Sequence, residues 1–111
     1  MTTGYVIVAG VGLKDAKYTI LKDPDAVLDY PFNYTDWLEE IADTIQTASA
    51  SVTGSIEVAS PDDLPVDDDG KIVTPMVSGG LNGETCSLTV HIETVGGRQD
   101  ARTIYLKIKE R

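Results

Sequence analysis

The sequence has few of the residues that build catalytic and metal sites. It contains one cysteine and one histidine among 111 residues. Cys86 cannot form an internal disulfide, so nothing indicates an oxidising compartment. His91 lies on the polar face of a predicted strand, and no histidine or cysteine cluster supplies the three or four ligands that zinc needs. These shortages predict no catalytic residue, no metal and no cofactor, and therefore a protein that is not an enzyme.

Basic residues and long apolar runs are also scarce. Nine basic residues stand against eighteen acidic ones, and the formal net charge is -9. This charge opposes binding to a phosphate backbone or to an anionic membrane surface. The first apolar run, residues 5–13, lacks a basic flank and is too short and glycine-rich for a signal peptide or a membrane span. We therefore expect no nucleic acid partner, no membrane partner and synthesis in the cytosol.

Short alternating segments separated by turn residues fill most of the sequence. Residues 28–34 alternate apolar and polar side chains, and residues 86–92 and 104–108 do the same on either side of a glycine turn. Only residues 36–43 permit a helical turn. The pattern predicts one all-β domain, an antiparallel immunoglobulin-like β-sandwich of about seven strands.

The first 21 residues differ from this pattern and are predicted to form an N-terminal extended arm or strand, with the sandwich over residues 22–111. Residues 4–10 are apolar on both faces, so this segment needs cover on two sides. It packs either against another subunit or as an inner strand of the same domain, and both alternatives stay open.

The segment 60–71 combines two prolines, five aspartates and a glycine, which predicts an exposed acidic loop. Its DDDG string resembles part of a calcium loop. The register then places Pro65 and Met76 at positions that need carboxylates, which excludes a loop of that type.

Aromatic residues concentrate in residues 22–38, which hold four of the seven in the chain. Trp37, with Tyr30 and Tyr34 upstream, forms either a platform for a sugar ring or part of the core. Because Tyr30, Phe32 and Tyr34 alternate with polar residues, we favour the core.

Four strings carry a resemblance to a known family: KDPDAVLDYPFNYTDWL at 22–38, DTI at 43–45, VSGG at 77–80 and GGRQDARTI at 96–104. Together they resemble small tailed-phage virion proteins of the fibre-tail adaptor or neck/tail accessory type, which have an immunoglobulin-like fold. Two positions depart from the pattern, since Cys86 stands where tyrosine is frequent and Ala50 where a large aromatic is expected.

The resemblance implies a structural component of a tailed bacteriophage virion that binds other virion proteins at the head-tail junction, tail or fibre base. It also implies a symmetric multicopy assembly, formed in the host cytoplasm. A capsid decoration protein is the alternative within the virion, and a carbohydrate-binding module for host-surface recognition is the alternative of another class. The candidate interface residues are Tyr5, Val6, Ile7, Val8 and Val11 in the arm, Asp23, Pro24, Asp25 and Trp37 at one corner, and Arg98 and Arg102 at the tip of the last hairpin.

Overall fold

Four strands form the larger sheet of the protein. The computed structural model describes residues 7–8 and 18–110, with side chains from Ile20 onward. The sheet runs in the order β2 (Tyr18–Lys22), β10 (Gln99–Ile108), β9 (Thr85–Thr94) and β5 (Ile45–Thr53). Strands β5, β9 and β10 pair antiparallel, and β2 joins β10 in parallel.

The opposite layer consists of two three-stranded sheets. One contains β1 (Ile7–Val8), β4 (Phe32–Asn33) and β7 (Ile72–Val73), and the other contains β3 (Leu28–Asp29), β8 (Met76–Gly79) and β6 (Ile56–Val58). The single helix among the described residues, α1, covers Thr35–Glu40. The antiparallel β-sandwich predicted from the sequence is confirmed.

The core lies between these layers and follows the predicted alternation. Tyr30, Phe32 and Tyr34 are fully buried, as are Leu88 and Ile104 from the larger sheet. The aromatic residues of segment 28–34 therefore belong to the core, as their spacing predicts.

The predicted strand at residues 28–34 and the segment 72–79 are each broken at a proline. Pro31 separates β3 from β4, and Pro75 separates β7 from β8. Proline has no N–H to donate to a ladder, so pairing stops there. The two breaks lie opposite each other, because the Tyr30 N–H donates to the Pro75 carbonyl at 3.1 Å.

Residues 60–71 form an ordered strap along the edge of the larger sheet. The Leu64 N–H donates to the Ala48 carbonyl at 3.0 Å, and the Ala50 N–H donates to the Pro61 carbonyl at 2.7 Å. Leu64 itself is only 3% exposed. The strap thus occupies backbone groups on the outer side of β5.

The same strap also reaches the opposite layer. The Thr74 N–H donates to the Pro65 carbonyl, and the Asp67 N–H donates to the Ile72 carbonyl, both at 3.0 Å. The five aspartates of the strap are exposed, as predicted. Its backbone, however, is bonded to both layers, so the prediction of a simple exposed loop describes only the side chains.

Parts of the predicted N-terminal arm pair with the sandwich. In β1, Ile7 lies opposite Phe32 and Val8 lies opposite Asn33, while β2 lies along β10. The candidate residues Tyr5, Val6 and Val11 lie outside the described residues, so the division into arm and sandwich stays a prediction. Within the described part of the chain, no helix is long and apolar enough to cross a membrane.

Candidate functional site

The distinctive residues of the sequence lie at two opposite ends of the sandwich. Lys22 pairs with Ile108, the last residue of β10, whereas Arg98 immediately precedes its first residue. Ten residues of strand separate these ends by about 30 Å. We name them the KDPD end (residues 22–27, 79–84 and 108–110) and the helix end (residues 34–44 and 94–98). Asp23–Asp25 and Trp37, which were predicted to share one corner, lie at opposite ends, because segment 28–34 runs the length of the sandwich between them.

A buried lysine organises the KDPD end. Lys22 is 1% exposed, and its Nζ donates to the Gly79 carbonyl at 2.7 Å and to the Asp23 carbonyl at 2.9 Å. Burial lowers the pKa of Lys22 below its ordinary value, against the opposing effect of Asp23. The ammonium therefore ties the KDPD turn to the end of β8.

The KDPD turn is held in one shape by its own residues. The Asp23 side chain accepts from the Asp25 N–H at 2.9 Å, and the Asp23 carbonyl accepts from the Ala26 N–H at 3.1 Å. Pro24 fixes its own φ within this turn. Asp23 and Pro24 are half-buried, whereas Asp25 and Val27 are exposed.

A glycine turn faces the KDPD turn and is equally constrained. Gly80 has φ +105°, and a Cβ there would lie 2.7 Å from the Ile108 Cδ1. Beyond it, Leu81 is 64% exposed while its N–H donates to the Glu84 carboxylate at 3.0 Å. That bond is the main reason why the pKa of Glu84 is lowered. The KDPD end thus presents Leu81 and Val27 on an ordered backbone.

Trp37 lies on α1 at the helix end. It is half-buried and packs against the core, and its ring centroid is 6.4 Å from that of Tyr34. A sugar platform needs an open ring face, whereas this packing favours the structural interpretation of Trp37.

Asp43 joins three segments of the helix end. Its Oδ1 accepts from the backbone N–H groups of Thr44 and Gly96 at 2.9 and 3.1 Å, and its Oδ2 accepts from the Arg98 guanidinium at 3.0 Å. The Thr94 hydroxyl, together with these donors, lowers the pKa of Asp43. A Cβ on Gly96 would lie 2.7 Å from the Asp43 Oδ2, so a side chain there would displace this carboxylate. The Arg98 side chain remains 52% exposed but is fixed in direction.

Arg102 occupies a different position from Arg98. It lies within β10, opposite Val90, and its guanidinium contacts the Asp100 carboxylate at 3.0 Å. Its side chain is 12% exposed. Burial, with Asp100 adding its negative charge, raises the pKa of Tyr34 nearby. Arg102 therefore belongs to the sandwich interior rather than to the hairpin tip where the sequence analysis placed it.

The remaining candidates for chemistry have plain structural roles. His91 is exposed on the outer face of β9, and Cys86 is 1% exposed, with the pKa of its thiol raised by burial. In residues 7–8 and 18–110, no three His, Cys, Asp or Glu side chains are grouped to hold a metal ion.

Sequence reasoning missed Lys22 and Asp43. Their roles depend on partners 57 and 55 residues away, Gly79 and Arg98, so no local pattern reveals them. The strings that carry the family resemblance did hold a signal. Lys22 begins KDPD and its partner Gly79 lies in VSGG, while Asp43 begins DTI and its partner Arg98 lies in GGRQDARTI.

The described residues thus form an antiparallel β-sandwich with a different set of side-chain contacts at each end. The particular family is shown by sequence: residues 22–107 match the podophage GP4 fiber-tail adaptor protein gp77 family, and the chain belongs to it. No curated protein matches the chain.

Solved structures show the fold alone. The cysteine protease inhibitor EhICP2 from Entamoeba histolytica is similar with a TM-score of 0.50 and 10% identity, over 95% of this chain and 94% of that one. The solution structure of Amebosin gives a TM-score of 0.33 and 11% identity over 95% and 98%.

Proposed function

We propose that this chain is a non-enzymatic virion component that joins two other phage proteins, one at each end of its sandwich. The observation that carries the proposal is the family match, which spans both the KDPD end and the helix end. An adaptor between tail and fibre needs two separate contact surfaces. The two ends are about 30 Å apart and share no loop, so each is able to bind without the other.

Preorganisation of the two ends supports this function. Binding costs free energy when loops must be ordered, and the contacts of Lys22 and Asp43 remove that cost in advance. Both ends also expose large aliphatic side chains, Leu81 at 64% and Val27 at 57% at the KDPD end and Val95 at 65% at the helix end. Apolar side chains with polar surroundings are typical of partner contacts.

The remaining parts of the proposal are those that the resemblance of the sequence to tailed-phage virion proteins implies. The fold is immunoglobulin-like, the partners are tail, neck or fibre proteins, and the assembly is symmetric, multicopy and formed in the host cytoplasm. The interface includes Asp23–Asp25 at one end, Trp37 and Arg98 at the other, and the N-terminal segment around Ile7 and Val8. Arg102 acts from within the sandwich by supporting the end of β10.

Particle composition tests the proposal. The change is Leu81→Asp at one end or Val95→Asp at the other, with Ala59→Asp, exposed between the ends, as the control. We expect one end variant to be missing from purified particles and the other to be incorporated into particles that lack fibres. The control should give complete particles.

Two results would contradict the proposal. If the wild-type chain is absent from purified particles, it is not a virion component. If both end variants give complete particles with fibres, the ends are not the contact surfaces. Deleting residues 1–6 tests the arm separately, because it removes the candidate residues Tyr5 and Val6 and keeps the residues of β1 and β2. Normal particles from this variant would exclude Tyr5 and Val6 from the interface.

A further inference from the structure

The outer face of the larger sheet carries almost no charge. Of the fourteen outward-facing residues of β5, β9 and β10, eight are serine or threonine and only Glu93 and Lys107 are charged. We name this surface the hydroxyl face. Its net charge is zero in a chain whose formal net charge is -9. A second copy of the chain therefore meets little electrostatic repulsion here.

The hydroxyl groups of this face already satisfy one another in part. The Thr89 and Thr103 Oγ1 atoms are 2.8 Å apart, and the Thr53 Oγ1 is 2.7 Å from the Ser87 Oγ. Burying hydroxyl groups costs less when they keep a hydrogen bond. The face can therefore lose water without leaving these groups unpaired.

The two charged residues lie symmetrically about the centre of the face. Thr89 pairs with Thr103 and marks the central row. Lys107 lies four residues beyond Thr103 on β10, and Glu93 lies four residues beyond Thr89 on the neighbouring strand, toward the opposite end of the sheet. Neither makes an ion pair with another described residue.

A two-fold axis through the central row, perpendicular to the strands, exchanges the two ends of the face. It places Lys107 of each copy over Gln99 of the other, whose neighbour on β9 is Glu93. The Lys107 ammonium then lies about one strand spacing, roughly 4.8 Å, to the side of Glu93, within reach of its long side chain, so two ion pairs can form at once. The face is thus self-complementary in the way that a two-fold interface requires.

The size of the outer sheet surface is that of a weak contact between copies. The hydroxyl face together with the adjoining strand β2 spans four strands about 4.8 Å apart and eight residue steps along β10, a flat area of roughly 500 Å² per copy. Specific interfaces begin at about 600 Å² per partner. This area favours a reversible, concentration-dependent dimer.

We propose that two copies of this chain pack through their hydroxyl faces, with Lys107 of each copy against Glu93 of the other. The pairing supplies the self-contact of the multicopy assembly and rests on that part of the proposed function. A failure of this pairing can be told apart from a failure of the proposed function, because the oligomeric state is measured separately from incorporation into particles.

Charge reversal tests the register of the pair. Sedimentation equilibrium of the full chain should show a dimer, and Glu93→Lys or Lys107→Glu alone should each weaken it by about tenfold, since both ion pairs become repulsive. A mixture of the two single variants, and the double variant, should regain the wild-type association. Unchanged dimerisation in both single variants overturns the proposed register.

A second pair of variants tests the face itself. Ala101→Glu adds a carboxylate near the centre of the face, and Ala59→Glu adds the same charge outside it; both alanines are exposed. We expect Ala101→Glu to give a monomer and Ala59→Glu to leave the dimer unchanged, with equal melting temperatures of the monomeric fold. A monomeric wild type, or a dimer that resists Ala101→Glu, overturns the proposal.

Discussion

Replacing Lys22 by methionine tests whether the buried ammonium stabilises the KDPD end. The variant keeps an unbranched apolar stem but leaves the Gly79 and Asp23 carbonyls without their donor. Hydrogen bonds to a charged group contribute about 1.5–3 kcal/mol each, while release of the buried charge offsets part of that loss. Because both contacts are partly buried, water replaces the lost donor only in part, and we expect a net loss of about 2 kcal/mol.

The loss should appear as a lower melting temperature. For a domain of this size, 1 kcal/mol corresponds to roughly 4 °C, so Lys22→Met should melt about 8 °C lower by calorimetry or circular dichroism. Lys109→Met is the matched control, because that side chain is exposed and should change stability by less than about 0.5 kcal/mol.

The pH dependence gives an independent check of the same variant. Burial lowers the pKa of Lys22, so between that lowered pKa and 10.5 the unfolded chain binds more protons than the folded one. Lys22 therefore makes the free energy of unfolding rise with pH in that window. The difference between wild type and Lys22→Met should widen as pH increases through it. A melting temperature unchanged or raised in the variant, with a pH-independent difference, would refute this account of Lys22.

Three further perturbations have defined outcomes. The Thr94 hydroxyl and other donors lower the pKa of Asp43, so the stabilisation by its carboxylate is present above pH 3.8 and disappears as pH falls through the lowered pKa. In Asp43→Asn, the free energy of unfolding measured in urea should therefore fall less steeply below pH 3.8 than in the wild type. An equally steep fall in both proteins would contradict this. Gly80→Ala should lower the free energy of unfolding by about 2–4 kcal/mol and Gly83→Ala by about 1 kcal/mol. Both glycines have positive φ, but only Gly80 lacks space for a Cβ. Equal melting temperatures of the two variants would disprove the difference. Leu64→Ala should cost about 2–4 kcal/mol in chemical unfolding and accelerate hydrogen exchange in the strap, since it empties a buried site; exchange that stays slow would show that the strap does not depend on this anchor.

The sequence predicted the sandwich and its core well, because alternation of apolar and polar residues is a local signal. Tyr30, Phe32 and Tyr34 alternate and are buried, and the same holds for Leu88 and Ile104. The break at Pro31 was visible in the sequence too, but alternation continued through it and outweighed the missing donor.

The site was less predictable, because its geometry depends on long-range pairing. The proximity of Asp23–Asp25 and Trp37 in the sequence suggested one corner, yet a strand's length separates them. Arg102 looked like a hairpin-tip residue, but the period of two places it on the inward face of β10 beside Asp100. Lys22 looked like a surface lysine in the sequence, but in the fold it is buried and bonded to the Gly79 carbonyl, which is distant in sequence.

The strap has a consequence for how copies can associate. Strands with exposed edges recruit further strands, and a sheet with two such edges can grow without limit. Here residues 60–71 occupy backbone groups of Ala48 and Ala50 on the long strand β5 and surround them with five exposed aspartates. Along that stretch of β5, a neighbour can meet only side chains. The strap thus blocks growth of the larger sheet by strand addition along this stretch, so a protein that binds there has to recognise the shape and charge of side chains.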